Sequence, residues 1–414
     1  MNVLKTKKSI LIFILSAAIF ALGVKGFIFY RVNLRGIGPA FFSPTINLSD
    51  LGEATSSDLG LKLPPGFQAE IFAKGLPGAR VLKFDQSGNL WISQTGEGKI
   101  SIIEKLNDGV FSAPQVVYTG LRNPHGLAFD PQNPKMLYIA EENRITRRDT
   151  GLEIDGQHLQ KIADLPSGGG HETRTINFGP DGRLYVAIGS SCNVCLEKDE
   201  RRAKIFSMNK DGSDFKEFAR GLRNTVFFTW SSPSMEVRQK MWGTEMGRDL
   251  LGDDIPPDEV NVIEEGGNYG WPICFGRNIH DDNFDKNTYF RNPCMAPFEK
   301  ESAIDLPAHS APLGLAFIPE SGSNWPDEYA GDLLVAYHGS WNRSIPTGYK
   351  IVRLHLGAAG KYLGTEDFIS GWLTEHNGKY SASGRPVDIY VSPDGSMLVS
   401  DDKAGVIYKF SYHE

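Results

Sequence analysis

The 414-residue chain is poor in the features that mark several common classes of protein. Beyond its first residues it has no run of Lys and Arg, and its formal net charge is −7. A polyanion partner would require a basic face, so nucleic-acid binding is excluded as an expectation. There are only 4 cysteines. Cys192 and Cys195 frame one Cys-x-x-Cys, and neither a histidine nor a second such pair is spaced to complete a zinc site, so two short disulfides, with Cys274 and Cys294 as the second, are the simpler expectation. Acidic loops occur, yet no Asp-x-Asp-x-Asp-Gly run with a closing Glu makes an EF-hand. The 45 glycines and 24 prolines follow no collagen-like period, which leaves frequent turns, the habit of all-β chains.

One apolar run stands apart. Lys5, Lys7 and Lys8 precede uncharged residues from Ser9 to Val24, and after Lys25 the run resumes as Phe27-Ile-Phe-Tyr30. Counted across Lys25 it approaches the ~20 residues that span a bilayer, while Ala21-Leu-Gly23 resembles a signal-peptidase site. Residues 1–30 are therefore a cleaved signal peptide or a membrane anchor, and either one places the body outside the cytoplasm, periplasmic or extracytoplasmic, with membrane association only through this segment. An exported location also suits disulfides. Residues 31–62 lack periodicity and read as a linker, so 63–414 form the folded domain.

That domain repeats itself. An apolar segment, a turn of the Asp-x-x-Gly or Pro-Asp-Gly kind and a second strand recur, as in Leu82-Lys-Phe-Asp-Gln-Ser-Gly88 before Leu90-Trp-Ile-Ser93, and Ile176-Asn-Phe-Gly-Pro-Asp-Gly182 before Leu184-Tyr-Val186. Further instances begin at Leu127, Val226, Leu315 and Asp388, and third strands follow at Lys99, Lys204, Glu259, Tyr349 and Gly405. Units of three or four short strands spaced by ~45 to 75 residues predict an all-β, six-bladed β-propeller of four-stranded antiparallel blades, preceded by an N-terminal hydrophobic helix.

In a propeller the inner strand of each blade lines the channel, so the residues just before it converge on one mouth. Those residues are Arg80, Arg122-Asn123-Pro-His125, His171 with Arg174, Arg223-Asn224, His309 and Arg385. Repeat phase, more than the Gly168-Gly-Gly170 run before it, singles out His171, a neutral imidazole suited to accepting a proton. Arg223 can face developing negative charge. The loop Gly247-Arg248-Asp249, with acids on both sides, offers hard oxygen ligands to a cation such as Ca2+. His338-Gly-Ser-Trp-Asn-Arg343 reads as a pocket wall, and no Ser-His-Asp arrangement points to a hydrolase.

Taken together, Gly170-His-Glu-Thr-Arg174, Gly189-Ser-Ser-Cys-Asn-Val-Cys195, Gly247-Arg-Asp249, Pro256-Pro-Asp-Glu259, Gly266-Gly-Asn-Tyr-Gly-Trp-Pro272, His338-Gly-Ser-Trp-Asn-Arg343 and Ser400-Asp-Asp-Lys-Ala-Gly405 resemble the sorbosone dehydrogenase branch of the soluble quinoprotein sugar dehydrogenases from residue 63 onward. The resemblance implies pyrroloquinoline quinone (PQQ) and Ca2+ as cofactors, a sugar substrate and an external electron acceptor. It implies His171 as catalytic base, with Arg223 and Asn224 beside the quinone oxygens. Asn123 or His125, His338, Arg343 and Arg385 would be further cofactor contacts, and the carbonyls near Gly247, Arg248 and Asp249 would hold the metal. The chain departs from the family pattern at Met246, at Val226-Phe-Phe228, and at Val387, where a second arginine is expected. A propeller with no redox chemistry, binding sugar or protein, is the alternative.

Overall fold

The structure, a computed structural model, describes residues 2–34, 37–43, 59–107, 109–152, 159–232 and 239–413. Residues 35–36 and 44–58 of the expected linker lie outside them.

Six four-stranded antiparallel sheets surround a central channel, as the repeat predicts. Blade 1 comprises Ala79–Phe84, Leu90–Gln94, Lys99–Ile103 and Gln115–Tyr118. Blade 2 comprises Gly126–Asp130, Asn133–Glu141, Arg144–Asp149 and Gln160–Asp164. Blade 3 comprises Ile176–Phe178, Leu184–Ile188, Lys204–Met208 and Lys216–Arg220, with Gly267–Asn268 added in parallel at its edge. Blade 4 runs Thr225–Trp230, Met241–Glu245 and Asp258–Ile263, then after an insert ends with Ile304–Leu306. Blade 5 is Pro312–Phe317, Leu333–Tyr337, Lys350–Leu356 and Tyr362–Ile369. Blade 6 takes Pro386–Val391, Met397–Asp401 and Val406–Tyr412 from the C-terminus, and its outer strand, Phe67–Lys74, from the start of the domain. That pairing closes the ring and leaves no free end to fray.

The second strand of a blade is covered on both faces by its neighbours, which is why Leu90–Gln94, Leu184–Ile188, Met241–Glu245, Leu333–Tyr337 and Met397–Asp401 are buried at every position. The turns joining first to second strands carry the recurring Asp. In blade 1 the Asp85 carboxylate accepts the N–H groups of Ser87 and Asn89, both at 2.9 Å. In blade 3 Gly182 adopts φ +75° after Asp181, a conformation that glycine enters without a Cβ penalty.

The inner strands of blades 1, 4, 5 and 6 each shift register near the mouth, between Ala79 and Leu82, Thr225 and Phe227, Pro312 and Leu315, and Pro386 and Ile389. A bulge at that point re-aims the side chains beside it. The mouth residues of these blades, Arg80, Arg223, Asn224, His309 and Arg385, sit at, or a few positions from, these bulges.

Before the propeller, a helix spans Asn2–Asn33, with Phe20, Phe27, Phe29 and Tyr30 exposed. Among the described residues no helix is long and apolar enough to cross a membrane. A short helical turn, Gly38–Phe42, buries Pro39 and Ala40. Ser43 then joins the mouth side of blade 6, its Oγ accepting the Ala382 N–H and its carbonyl the Lys403 ammonium, each at 3.0 Å. Both expected disulfides are present, Cys192–Cys195 and Cys274–Cys294.

Candidate active site

His171 stands in the loop before the third inner strand. Its Nδ1 lies 2.8 Å from both the carbonyl and the hydroxyl oxygen of Ser190. The carbonyl can only accept, and the Ser190 hydroxyl donates its own proton to the Cys192 carbonyl at 2.8 Å. Nδ1 therefore carries the hydrogen and Nε2 the lone pair. Burial, then the Arg223 charge, lowers the imidazole pKa to about 3, so the ring is neutral at physiological pH. Gly189 makes the arrangement possible, because a Cβ there would stand 2.6 Å from Asn224 Oδ1 and 2.7 Å from His171 Cβ.

Arg223 is buried and almost fully engaged. Nε donates to the Asn193 carbonyl at 2.8 Å, Nη1 to the Met246 carbonyl at 3.2 Å, and Nη2 to Asn193 Oδ1 at 3.0 Å and Asp249 Oδ2 at 3.2 Å. Asn224 donates its backbone N–H to Glu245, and its amide lies 3.5 Å from the Met246 sulfur. Met246, a departure from the family pattern, thus fills the space beneath these two residues.

The loop after blade 4's second strand is tied from several sides. Gly247 N–H donates to Asp258 at 2.9 Å, and Arg248 pairs with buried Asp281 of the insert at 2.6 Å. The Asp249 carboxylate receives Arg223 and, at 2.7 Å, the Asn342 amide. Behind the loop stand buried Glu245, Asp258 and Glu259, which burial pushes up to about 8, 7 and 7. Their hydrogen bonds come from backbone N–H groups, the Thr225 hydroxyl and the Asn261 amide, with no cationic side chain bonded to them among the described residues.

On the opposite side, Arg385 donates to the His338 and Gly339 carbonyls at 3.0 and 2.6 Å. His338 Nε2 donates to Asp402 at 2.8 Å, and Arg80 reaches the other oxygen of Asp402 at 2.6 Å. Burial, then Arg385, brings the His338 pKa down to about 4.

The two second-blade candidates separate. His125 is fully buried, its ring 5.3 Å from that of Phe227, and belongs to the channel wall. Asn123 is half-buried and donates at 3.0 Å to both Glu142 and Glu172. Arg343 is engaged by the Asp253 carbonyl and, at 2.9 Å, by Asp254, and so braces the acidic loop. His309 does the same through the Gly252 carbonyl at 2.7 Å. Arg174 is buried and donates to the carbonyls of His171, Thr173 and Pro166, each at 2.8 Å, a structural role. Val387 is wholly buried in the core.

Sequence reasoning passed over Asn193, Asn342, Gly189 and Asp402. Among the described residues, the groups of three His, Cys, Asp or Glu close enough for one ion are Cys192, Cys195, Glu197 and Cys274, Cys294, Glu299. Disulfides consume the sulfurs of both.

Residues 61–413 match the family described as TrAA12-like. A PQQ-dependent pyranose dehydrogenase of Coprinopsis cinerea is 34% identical over 405 residues, covering 83% of this chain, which spans only 53% of that relative's length. Among solved structures, the holo form of the pyranose dehydrogenase PQQ domain from Coprinopsis cinerea superposes with a TM-score of 0.70 at 19% identity, covering 90% of this chain and 99% of that one. The calcium structure of the Trichoderma reesei family AA12 enzyme gives 0.69 at 18% identity, covering 89% and 100%. At these identities the superpositions establish the shared fold.

Proposed function

The chain belongs to the TrAA12-like family, and on that premise we propose that it is a quinoprotein dehydrogenase that oxidises an aldose or related sugar and passes the electrons to an external acceptor. PQQ would lie in the mouth with Ca2+ beside it. When bound, the quinone and its cation supply the hydride-accepting centre.

The observation that carries this reading is the fixed tautomer of His171. With Nδ1–H held by Ser190, Nε2 is the basic nitrogen, free of partners among the described residues. It would take the proton of the substrate hydroxyl as the C–H hydride departs. Arg223 lies close enough to depress that imidazole, and the same charge favours negative charge developing on an oxygen nearby.

The residues fit the cofactors on chemical grounds. PQQ carries three carboxylates, which suit the guanidinium of Arg385 and the charge of Arg80 near it; His338 and Asn123, whose N–H groups go to Asp402 and to Glu142 and Glu172, would have to exchange those partners to join them. The carbonyls of Gly247 and Arg248 accept no hydrogen bond among the described residues, and the buried carboxyls behind them would ionise beside a cation and add negative potential. Hard oxygen donors of this kind suit Ca2+. Asp249, whose two oxygens are already taken by Arg223 and Asn342, would order the loop. The names of the Coprinopsis relative and the Trichoderma structure support the same pair of cofactors by kinship. Two disulfides support a location outside the cytoplasm, with residues 1–30 as signal or anchor.

The test is reconstitution of the purified protein with PQQ and Ca2+, following dye reduction across a panel of aldoses. His171→Ala should lower kcat by about 10²- to 10⁴-fold while the quinone still binds. Undiminished turnover in that variant would remove the base assignment. Failure of the wild type to bind the quinone would return the chain to a propeller that binds sugar or protein without redox chemistry.

A further inference from the structure

We infer that Asn193, presented by the Cys192–Cys195 staple, is a positioning residue that aims Arg223 at the reacting centre; the inference rests on the function proposed above. One asparagine joins two loops here. Its carbonyl and its Oδ1 accept Nε and Nη2 of Arg223 at 2.8 and 3.0 Å. The same Oδ1 accepts the Asp249 N–H at 2.7 Å, and its Nδ2 donates to the Asp249 carbonyl at 3.1 Å. Asp249 in turn holds Arg223 and is itself held by Asn342 of blade 5.

A guanidinium has five N–H donors. The Arg223 fork delivers four hydrogen bonds, to Asn193 twice, to Asp249 and to the Met246 carbonyl. One Nη1–H is left over, and the rigid fork makes its direction a consequence of the other four. Removing the Asn193 amide deletes one acceptor of Arg223 and both side-chain ties to Asp249, so the fork loses its reference on the blade 3 side. The disulfide matters because it closes a tight loop around Asn193. Ser190, one residue before Ser191 and two before Cys192, holds His171 from the same loop, through a hydroxyl that donates to the Cys192 carbonyl. A single stapled loop thus sets both the base and the cation opposite it.

The test compares wild type with Asn193→Ala, Asn193→Asp and the double change Cys192→Ser with Cys195→Ser, all as full-length protein. Asn193→Asp retains both acceptors for Arg223. Three quantities are read: solvent exchange of the Arg223 Nε–H by NMR, assigned by its loss in Arg223→Lys; PQQ affinity by tryptophan fluorescence; and kcat with KM for the best aldose. Asn193→Ala should speed the exchange by about 10-fold or more and lower kcat by about 10- to 100-fold, the scale of a small misplacement of a reacting group. Sugar KM should change by less than about threefold, since the misplaced group acts on the developing charge and not on sugar binding. The cysteine double variant should show the same pattern more weakly, and Asn193→Asp should keep slow exchange. Exchange and kcat within about twofold of wild type in Asn193→Ala overturn the inference. If the wild type binds no quinone, the proposed function falls, and the exchange measurement still decides whether Asn193 fixes Arg223.

Discussion

The two sides of the mouth handle charge in opposite ways. On the blade 6 side, Asp402 is part-buried, and His338 and Arg80 outweigh the cost of that burial and hold its carboxyl well below the usual range. Arg385 adds its own charge from the neighbouring carbonyls. On the blade 4 side, Glu245, Asp258 and Glu259 are more deeply buried and are bonded only by neutral donors, so burial wins and their carboxyls rise. The difference shows how one mouth can receive an anion and a cation together. Blade 6 presents more positive groups than Asp402 needs, and blade 4 presents acids that a nearby cation would draw into the ionised form. On the function proposed above, an anionic cofactor and a divalent cation would complete both halves.

The comparison can be broken by removing one acid from each side. Asp402→Asn leaves Arg80 and His338 facing a neutral amide in a part-buried site, and should destabilise the fold by about 1.5 to 3 kcal/mol, the scale of hydrogen bonds to a charged group. Glu245→Gln replaces a carboxyl that is already largely neutral at pH 7, and should cost under about 1 kcal/mol without added Ca2+. Chemical denaturation at pH 7 measures both. Equal losses in the two variants would show that the sides do not differ.

Acid sharpens the same contrast. The His338 pKa is about 4 in the folded state, below the ordinary histidine value of 6.5. The folded protein therefore binds fewer protons than the unfolded chain between these values, so this contribution is complete above pH 6.5 and is lost as pH falls towards 4. At about 1.4 kcal/mol per pKa unit the loss approaches ~3 kcal/mol. Subtracting the stability of His338→Gln from that of wild type isolates it from the buried carboxylates, which respond in the opposite direction. A difference that stays flat from pH 7 to 4 would mean that folding leaves the His338 pKa unshifted, and one that rises as pH falls would mean that His338 is already charged at neutral pH.

The fold was largely legible because its signals are local. An Asp that caps its own turn, a glycine at φ +75° and a fully buried second strand leave their mark within a dozen residues, and six repetitions of that pattern imply six blades. The closure was not legible. Phe67–Lys74 pairs with Val406–Tyr412 across most of the chain, and nothing in either segment names the other. The site divides in the same way. Repeat phase brought His171, Arg223 and Arg385 to one mouth, but could not separate Asn123 from His125, because the burial of His125 depends on Phe227 two blades further along the chain. Asn193 was hidden by its flanking cysteines, which account for the loop without any need to read the residue between them. Arg343 was placed by its motif, whereas its partners Asp253 and Asp254 lie some ninety residues earlier in the chain.

A more local effect concerns the contact between the His171 loop and Asn224, at Gly189. Its φ is not in the left-handed region, so conformational strain does not demand glycine there; space does. A methyl group would press on Asn224 Oδ1 at 2.6 Å and on His171 Cβ at 2.7 Å, where the His171 ring is held by Ser190 and the Asn224 amide lies against the Met246 sulfur. Gly189→Ala must therefore push the base and the Arg223-Asn224 pair apart by a few tenths of an ångström. Overpacking of this kind costs about 1 to 3 kcal/mol of stability. The expected rate loss is about 10-fold in kcat with sugar KM little changed, since reacting groups are displaced while the rest of the mouth stays in place. If kcat is unchanged while stability falls, the separation of His171 from Asn224 does not matter to the chemistry, and the base acts independently of the charged half of the mouth beside it.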